Sequence, residues 1–434
     1  MQFCSEEVLE TDLEHGVHLA GIGGVGMTAL AEMLLDLKVV VTGSDITPSK
    51  NVDRLKARGV RVFPSHEKEQ VGKKLVCRST AVKDSNPEVL FAKKVVFRST
   101  LLSYLAKGKK QLVVAGAHGK TTTSALLAHC MKTSPLNCSF AVGGLCSNLD
   151  RYGRISDGEY FVLEGDESDG SHLKTNPFGA ILTSCDVDHL AFWKKGEALC
   201  ESYRKFALKV RSYEHFLYYG ADPYLKTWKV PGKSYGLEGG FDYFAKNIHL
   251  MNDASTFTIG GKDVLFPMFG EYNIKNAIAV YGLLDSLGLG HDQIALGFKT
   301  FKGVNRRMEY LGKNIYSDYA HHPEEVRNVL EHFNKVSKEV AIVFEPHRIT
   351  RFQDEMNEFC KVFKNVVITD IFEASEETKV NPLPLIKEFC NRTGSVYVPL
   401  SSIKGYLAQE RKTVVALTAG SLDGQLREFI QEAK

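Results

Sequence analysis

Residues Gly116-Ala117-His118-Gly119-Lys120-Thr121-Thr122-Thr123 follow directly on the apolar run Leu112-Val113-Val114-Ala115. That order predicts a strand, a glycine loop and the first turn of a helix, which together form a phosphate cradle. Backbone N–H groups at a helix N-terminus point at bound oxygens, and glycine lets the chain approach them closely. Gly116, His118, Gly119, Lys120, Thr121 and Thr122 are the residues such a loop offers. Lys120 is expected to reach the terminal phosphates, and Thr121 to hold Mg²⁺. The common phosphate loop has four residues between its glycines, whereas only Ala117 and His118 stand between these. The reading is therefore a nucleotide-triphosphate site of a particular subclass.

Two later apolar runs end in ionisable residues. Tyr160-Phe161-Val162-Leu163 leads into Glu164-Gly165-Asp166-Glu167-Ser168-Asp169, and Gly179-Ala180-Ile181-Leu182-Thr183 leads towards Cys185-Asp186-Val187-Asp188-His189. In a parallel sheet these strand ends share a rim with the phosphate loop, which makes Glu164 and His189 the expected magnesium or water-network ligands. An earlier loop, Gly21-Ile22-Gly23-Gly24-Val25-Gly26, matches G-x-G-x-x-G between a short strand at Val17-His18-Leu19-Ala20 and a helix over 27–37. A second strand over 38–42 leads to Asp45. By pattern alone this is a dinucleotide site with Asp45 on a ribose, the reading of an NAD-dependent oxidoreductase. The second phosphate loop has no role in that reading. Near the C-terminus two polar knots follow strand ends: Tyr319-Ala320-His321-His322-Pro323 and Glu345-Pro346-His347-Arg348-Ile349-Thr350-Arg351. They predict an anion-handling surface.

The elements that must position these residues alternate between strand and helix along the whole chain, so the expected class is α/β. A length of 434 residues implies about three domains. Alternation fades in the lysine-rich stretch 103–110 and restarts after Gly303-Val304-Asn305-Arg306-Arg307-Met308-Glu309. The expected boundaries give a Rossmann-like domain at 1–107, a central P-loop ATPase-like domain at 108–304 and a Rossmann-like domain at 305–434. A formal net charge of +2 gives no electrostatic case for nucleic acid or an anionic membrane. No apolar stretch approaches the ~20 residues of a membrane span, and Glu6, Glu7, Glu10, Asp12 and Glu14 are unlike a signal peptide, so a cytoplasmic location is expected. The nine cysteines are scattered without a C-x-x-C pair, and read as reduced.

Taken together, the two glycine loops, Glu164 with Asp166-Glu167-Ser168-Asp169-Gly170, Asp188-His189, Tyr272-Asn273-Ile274-Lys275-Asn276-Ala277, Asp318-Tyr319-Ala320-His321-His322-Pro323 and Pro346-His347-Arg348 resemble the Mur ligases, in the family's order. Among them the pattern is most similar to the alanine-adding branch. The resemblance implies a three-domain enzyme of peptidoglycan synthesis using ATP and Mg²⁺. It would join L-alanine to UDP-N-acetylmuramate through an acyl phosphate, as a monomer or homodimer. The first glycine loop would then hold a UDP-sugar rather than NAD, through Gly23, Gly24, Val25 and Gly26, with Asp45, His66, Ser79 and Thr80 on the same side. By the same resemblance Asn273 and Asn276 contact adenine, Asp318 the ribose, and Arg306 or Arg307 lies at the turn towards the last domain. Tyr319, His321, Arg348 and Arg351 hold alanine and the intermediate. Lys120, Glu164, His189, His321 and Arg348 form the implied catalytic set, and Thr121, Glu164 and His189 the implied metal set. Lys205 falls where other branches carry a carbamylated lysine, which this branch does not need. A relative that recycles a tripeptide onto UDP-N-acetylmuramate shares most of these features, and a non-catalytic nucleotide-binding module is a further alternative.

Overall fold

The computed structural model describes all residues except 1–3, 6, 168–169, 186–192, 194–195, 230, 252, 337–338, 375, 377–379 and 433–434. The chain folds as two compact units. The first comprises Met1–His249, Ser255–Met268 and Asn273–Lys302, and the second Leu250–Ala254, Phe269–Tyr272 and Gly303–Lys434.

The first unit contains two parallel-rich sheets. One is built from β1 (Val17–Ala20), β2 (Val41–Ser44), β3 (Arg61–Phe63), β4 (Leu75–Arg78) and β5 (Val95–Phe97), in the order β3-β2-β1-β4-β5. Every pairing in it is parallel. The order reverses between β1 and β4, the crevice where doubly wound sheets take their ligands. The glycine loop leaves β1 there and enters the helix Val25–Asp36. Two expected limits shift slightly. The helix ends at Asp36, Lys38 takes a φ of +60° in the turn, and β2 begins only at Val41.

The larger sheet contains β6 (Lys110–Ala115), β7 (Cys138–Ala141), β8 (Gly153–Arg154), β9 (Tyr160–Glu164), β10 (Pro177–Leu182), β11 (Phe216–Tyr219), β12 (Lys233–Gly236) and β13 (Tyr243–Phe244). Its order is β13-β12-β11-β10-β6-β9-β7-β8. The phosphate-loop strand β6 therefore lies between β9 and β10, parallel to both. Its residues 111–115 are all buried, as a strand covered on both faces requires. The helix Lys120–Lys132 buries eleven consecutive residues, Thr121 to Met131. A small sheet, β14 (Lys246–Leu250), β15 (Ser255–Ile259) and β16 (Lys262–Phe266), follows.

The second unit is a six-stranded sheet of β17 (Glu309–Gly312), β18 (Ile315–Asp318), β19 (Val340–Glu345), β20 (Val367–Ile368), β21 (Val396–Tyr397) and β22 (Thr413–Thr418). The order is β17-β18-β22-β19-β20-β21, with only β17 antiparallel to its neighbour. Phenylalanines 344, 352, 359, 363 and 389 fill one side of its core. The fold class is α/β throughout, as the alternation of elements predicts. Among the described residues, no helix is long and apolar enough to cross a membrane.

Candidate active site

The phosphate loop is shaped by two glycines in the left-handed region, Gly116 at φ +126° and Gly119 at φ +79°. A side chain at Gly119 would place its Cβ 2.7 Å from Asn276 Oδ1, and one at Gly116 would collide with Thr183 Oγ1. Space and backbone conformation both demand glycine here. The loop is tied to the end of β10: Ser184 Oγ accepts from His118 N at 3.1 Å, and Thr183 Oγ1 donates to His118 O at 2.5 Å.

Lys120 donates to Gly116 O at 2.7 Å, Ala117 O at 3.0 Å and Glu167 Oε1 at 2.8 Å. Burial pulls its pKa down, but Glu167 in contact, with Glu164 and Asp166 nearby, outweighs burial and holds it above the ordinary lysine value. Lys120 is thus a charged ammonium folded back over its own loop. Glu167, only 1% exposed, is a site residue that the acidic run contains but its spacing does not single out.

Thr121 Oγ1 donates to Glu164 Oε1 at 2.9 Å, while Glu164 Oε2 accepts from Gly143 N at 2.8 Å and Ser124 Oγ at 3.2 Å. A hydroxyl and a carboxylate side by side at the loop are the hard oxygen donors magnesium takes. Among the described residues no cluster of three or more His, Cys, Asp or Glu could hold a metal. His189 lies outside the described residues, as do Asp186 and Asp188. Thr122, Asn273 and Asn276 are buried, Asn276 against Gly119 of the loop, and Lys205 is exposed on the helix Gly196–Leu208.

At the first glycine loop, Asp45 Oδ2 accepts from Gly23 N at 2.8 Å and Oδ1 from Thr47 N at 2.9 Å, so this carboxylate braces the loop. Gly24 caps the helix Val25–Asp36, with Val25 and Gly26 opening it. His66 Nδ1 lies 2.9 Å from Glu88 Oε2 and 2.8 Å from Ser44 Oγ, and His18 Nε2 lies 3.0 Å from Glu88 Oε1. Burial pushes the Glu88 carboxyl up, yet the hydrogen bonds from His18, Ser44 and His66 prevail and hold it below its ordinary value. Ser79 and Thr80 follow the end of β4, Ser79 partly buried and Thr80 exposed. A Cβ at Gly21 would lie 3.7 Å from Ser79 Oγ.

In the second unit Asp318 is 5% exposed and accepts from Ala320 N at 2.7 Å and Met308 N at 2.8 Å. Burial raises its pKa. The arginines before it, Arg306 and Arg307, lie over the Tyr319 ring at 4.8 and 5.1 Å. His321 Nδ1 is 2.9 Å from Tyr319 O. A carbonyl only accepts, so Nδ1 carries the proton and Nε2 is the basic nitrogen of the neutral ring. Burial, reinforced by Arg351 and Arg307, lowers the His321 pKa in spite of Glu325. His321 and His347 meet edge to face at 5.1 Å. Arg348 takes a φ of +66°, with its N–H on Phe372 O at 2.8 Å, and its side chain is exposed; Arg351 is half-buried. Strain of this kind at a non-glycine residue costs about 1–3 kcal/mol and persists where the surroundings impose it. Glu345, the first residue of this knot, is 1% exposed and accepts from Gly420 N, Ser421 N and Leu422 N, each at 3.1 Å, and from Thr418 Oγ1. It fixes the 418–422 turn, through a long-range contact that no local motif signals.

A phosphate loop with a paired lysine, an oxygen pair from Thr121 at the start of the helix and Glu164 at the end of β9, and a separate parallel sheet bearing its own glycine loop are the parts an ATP-dependent ligase requires. The Mur ligase catalytic domain matches residues 16–110, and the Mur ligase middle domain matches residues 114–284. The chain is 34% identical over 432 residues to UDP-N-acetylmuramate–L-alanine ligase of Protochlamydia amoebophila, covering 93% of this chain and 95% of that one. The chain belongs to the Mur ligase family. Its fold is similar to that of the UDP-N-acetylmuramate–alanine ligase of Thermotoga maritima, with TM-score 0.82 and 23% identity, over 96% of this chain and 99% of the other. A murein peptide ligase of Psychrobacter arcticus is similar at TM-score 0.69 and 19% identity, over 96% of this chain and 98% of the other.

Proposed function

We propose that this protein is an ATP-dependent ligase that joins L-alanine to UDP-N-acetylmuramate, releasing ADP and phosphate in the synthesis of peptidoglycan precursors. The observation that carries this reading is likeness along nearly the whole chain to ligases of that name, 34% identity over 93% of the chain in one case. The loop around Lys120 supplies the chemistry such a ligase needs. We further propose three domains, 1–107 for the UDP-sugar, 108–304 for ATP and 305–434 for the amino acid, in a cytoplasmic monomer or homodimer.

A carboxylate is a poor electrophile, so the amide requires prior transfer of the γ-phosphoryl group to give an acyl phosphate. Lys120 neutralises charge on the transferred group, and the amides of the loop after Gly116 orient it. Thr121 and Glu164, with His189, would hold Mg²⁺, which supplies charge stabilisation when bound. Asn273 and Asn276 would flank the adenine, and Asp318 and Arg307 the ribose side. Arg348 and Arg351 suit the alanine carboxylate, while neutral His321 offers Nε2 to the alanine ammonium proton. On the sugar side the reading assigns Gly23, Gly24, Val25, Gly26, His66, Ser79 and Thr80, with Asp45 bracing their loop.

Incubation with ATP, magnesium, UDP-N-acetylmuramate and L-alanine, followed by mass spectrometry, tests the proposal. The expected product is the alanyl amide of the UDP-sugar. Unchanged substrate with intact ATP contradicts it.

A further inference from the structure

Arg98 opens the helix Arg98–Leu105 immediately after β5. Its side chain lies against Gly26, the last glycine of the first loop: a Cβ built there would be 2.8 Å from Arg98 Cδ and 3.0 Å from Nη1. On its other side Arg98 Nη2 is 3.6 Å from Asp166 Oδ2. Asp166 belongs to the acidic run after β9, close enough to act on the charge of Lys120. Arg98 and Glu164 border one small cavity of about 20 Å³. One guanidinium thus reaches from the loop assigned to the UDP-sugar to Asp166 in the acidic run after β9. The Arg98 side chain is 22% exposed.

We propose that Arg98 binds the carboxylate of the sugar substrate and aims one of its oxygens at the γ-phosphorus of ATP. The proposal rests on the ligase reading above. Phosphorylating a carboxylate forces two anions together. Lys120 serves the phosphate side, because Glu167 and two loop carbonyls hold it there. The carboxylate side needs its own cation, and the planar guanidinium fork matches a carboxylate where a point charge does not. In the step, one carboxylate oxygen forms a bond to the γ-phosphorus. The bond from that phosphorus to the bridging oxygen breaks, and ADP leaves with the electron pair. Arg98 transfers no proton; it holds the attacking oxygen and offsets its charge.

The test compares binding of UDP-N-acetylmuramate with that of UDP-N-acetylglucosamine, which lacks the carboxylate, to the full-length protein by calorimetry. Wild type is expected to prefer the carboxylate ligand, and Arg98→Ala to lose that preference by roughly 10- to 100-fold, the worth of one charge-assisted hydrogen bond. Affinity for UDP-N-acetylglucosamine is expected to be unchanged, which also reports that the variant is folded. Arg98→Lys keeps the charge without the fork and is expected to fall between. An Arg98→Ala protein that retains the wild-type preference overturns the proposal, and so does one that loses affinity for both ligands equally, since Arg98 is then only a brace. Alanine ligation by wild type, assayed alongside, separates these outcomes from failure of the ligase reading.

Discussion

Lys120 is held in its resting position by an ion pair to Glu167 at 2.8 Å and by two carbonyls of its own loop. A triphosphate would replace these partners with phosphate oxygens and keep the ammonium charged. Lys120→Ala is therefore expected to lower kcat by at least about two orders of magnitude, as loss of one preorganised electrostatic contact does. Affinity for the UDP-sugar should stay within about twofold of wild type, because charged hydrogen bonds act over contact distance. Isothermal titration and a phosphate-release assay check both halves, and weakened UDP-sugar binding with normal turnover would refute the assignment of the two loops. At this scale the sequence is informative where chemistry is local. Gly116, Gly119, Lys120 and Thr121 lie in one string, and Glu164 ends the adjacent strand. Glu167, Arg98 and Glu345 are not legible in that way. Each acts on a partner from another stretch of chain, such as the turn at 418–422 that Glu345 holds.

Among the elements, the helix Pro323–Val336 carries His332, 4% exposed and stacked on Phe269 at 4.5 Å. Neither ring nitrogen has a hydrogen-bond partner among the described residues. Burial, aided by Lys335 and opposed by Glu271, lowers its pKa from 6.5 to about 4. His347, in the same unit, is lowered in the same direction, to about 3. Between about 6.5 and 4 the unfolded chain takes up a proton that the folded His332 refuses. The contribution of His332 to stability is thus complete above pH 6.5 and is lost as the pH falls towards 4. His332→Phe keeps the stack and removes the titration. It is expected to flatten the decline of melting temperature in that range and to raise the melting temperature at pH 5. An unchanged slope would show that the ring is solvated. The helix itself is legible in sequence, since its apolar positions 326, 329 and 333 recur at helical spacing. The short β20 is legible in the apolar run Val366-Val367-Ile368, whereas β21 is harder to read, because a two-residue strand carries no period of its own.

For the whole molecule, the sequence predicts three domains, and the chain forms three parallel-rich sheets in two compact units. The first two sheets share a unit because side chains far apart in sequence join them. Glu32, 0% exposed, accepts from Tyr152 N at 2.7 Å and Gly153 N at 3.0 Å, and pairs with Arg54 at 3.1 Å. Composition cannot reveal such a link, since a buried glutamate in a helix reads like any exposed one. Glu32→Ala strands two buried N–H groups, at about 1–3 kcal/mol each. Scanning calorimetry should show the transition of the first unit at lower temperature, with that of the second unit unmoved. A wild-type thermogram from the Glu32→Ala protein would refute this coupling. The proposed reaction joins a carboxylate substrate, a triphosphate and an amino acid. The most direct measurement is phosphate release from ATP with UDP-N-acetylmuramate present, comparing L-alanine with the tripeptide that a recycling ligase would accept. Strong stimulation by L-alanine and none by the tripeptide is predicted; stimulation by the tripeptide alone would contradict alanine addition as the reaction.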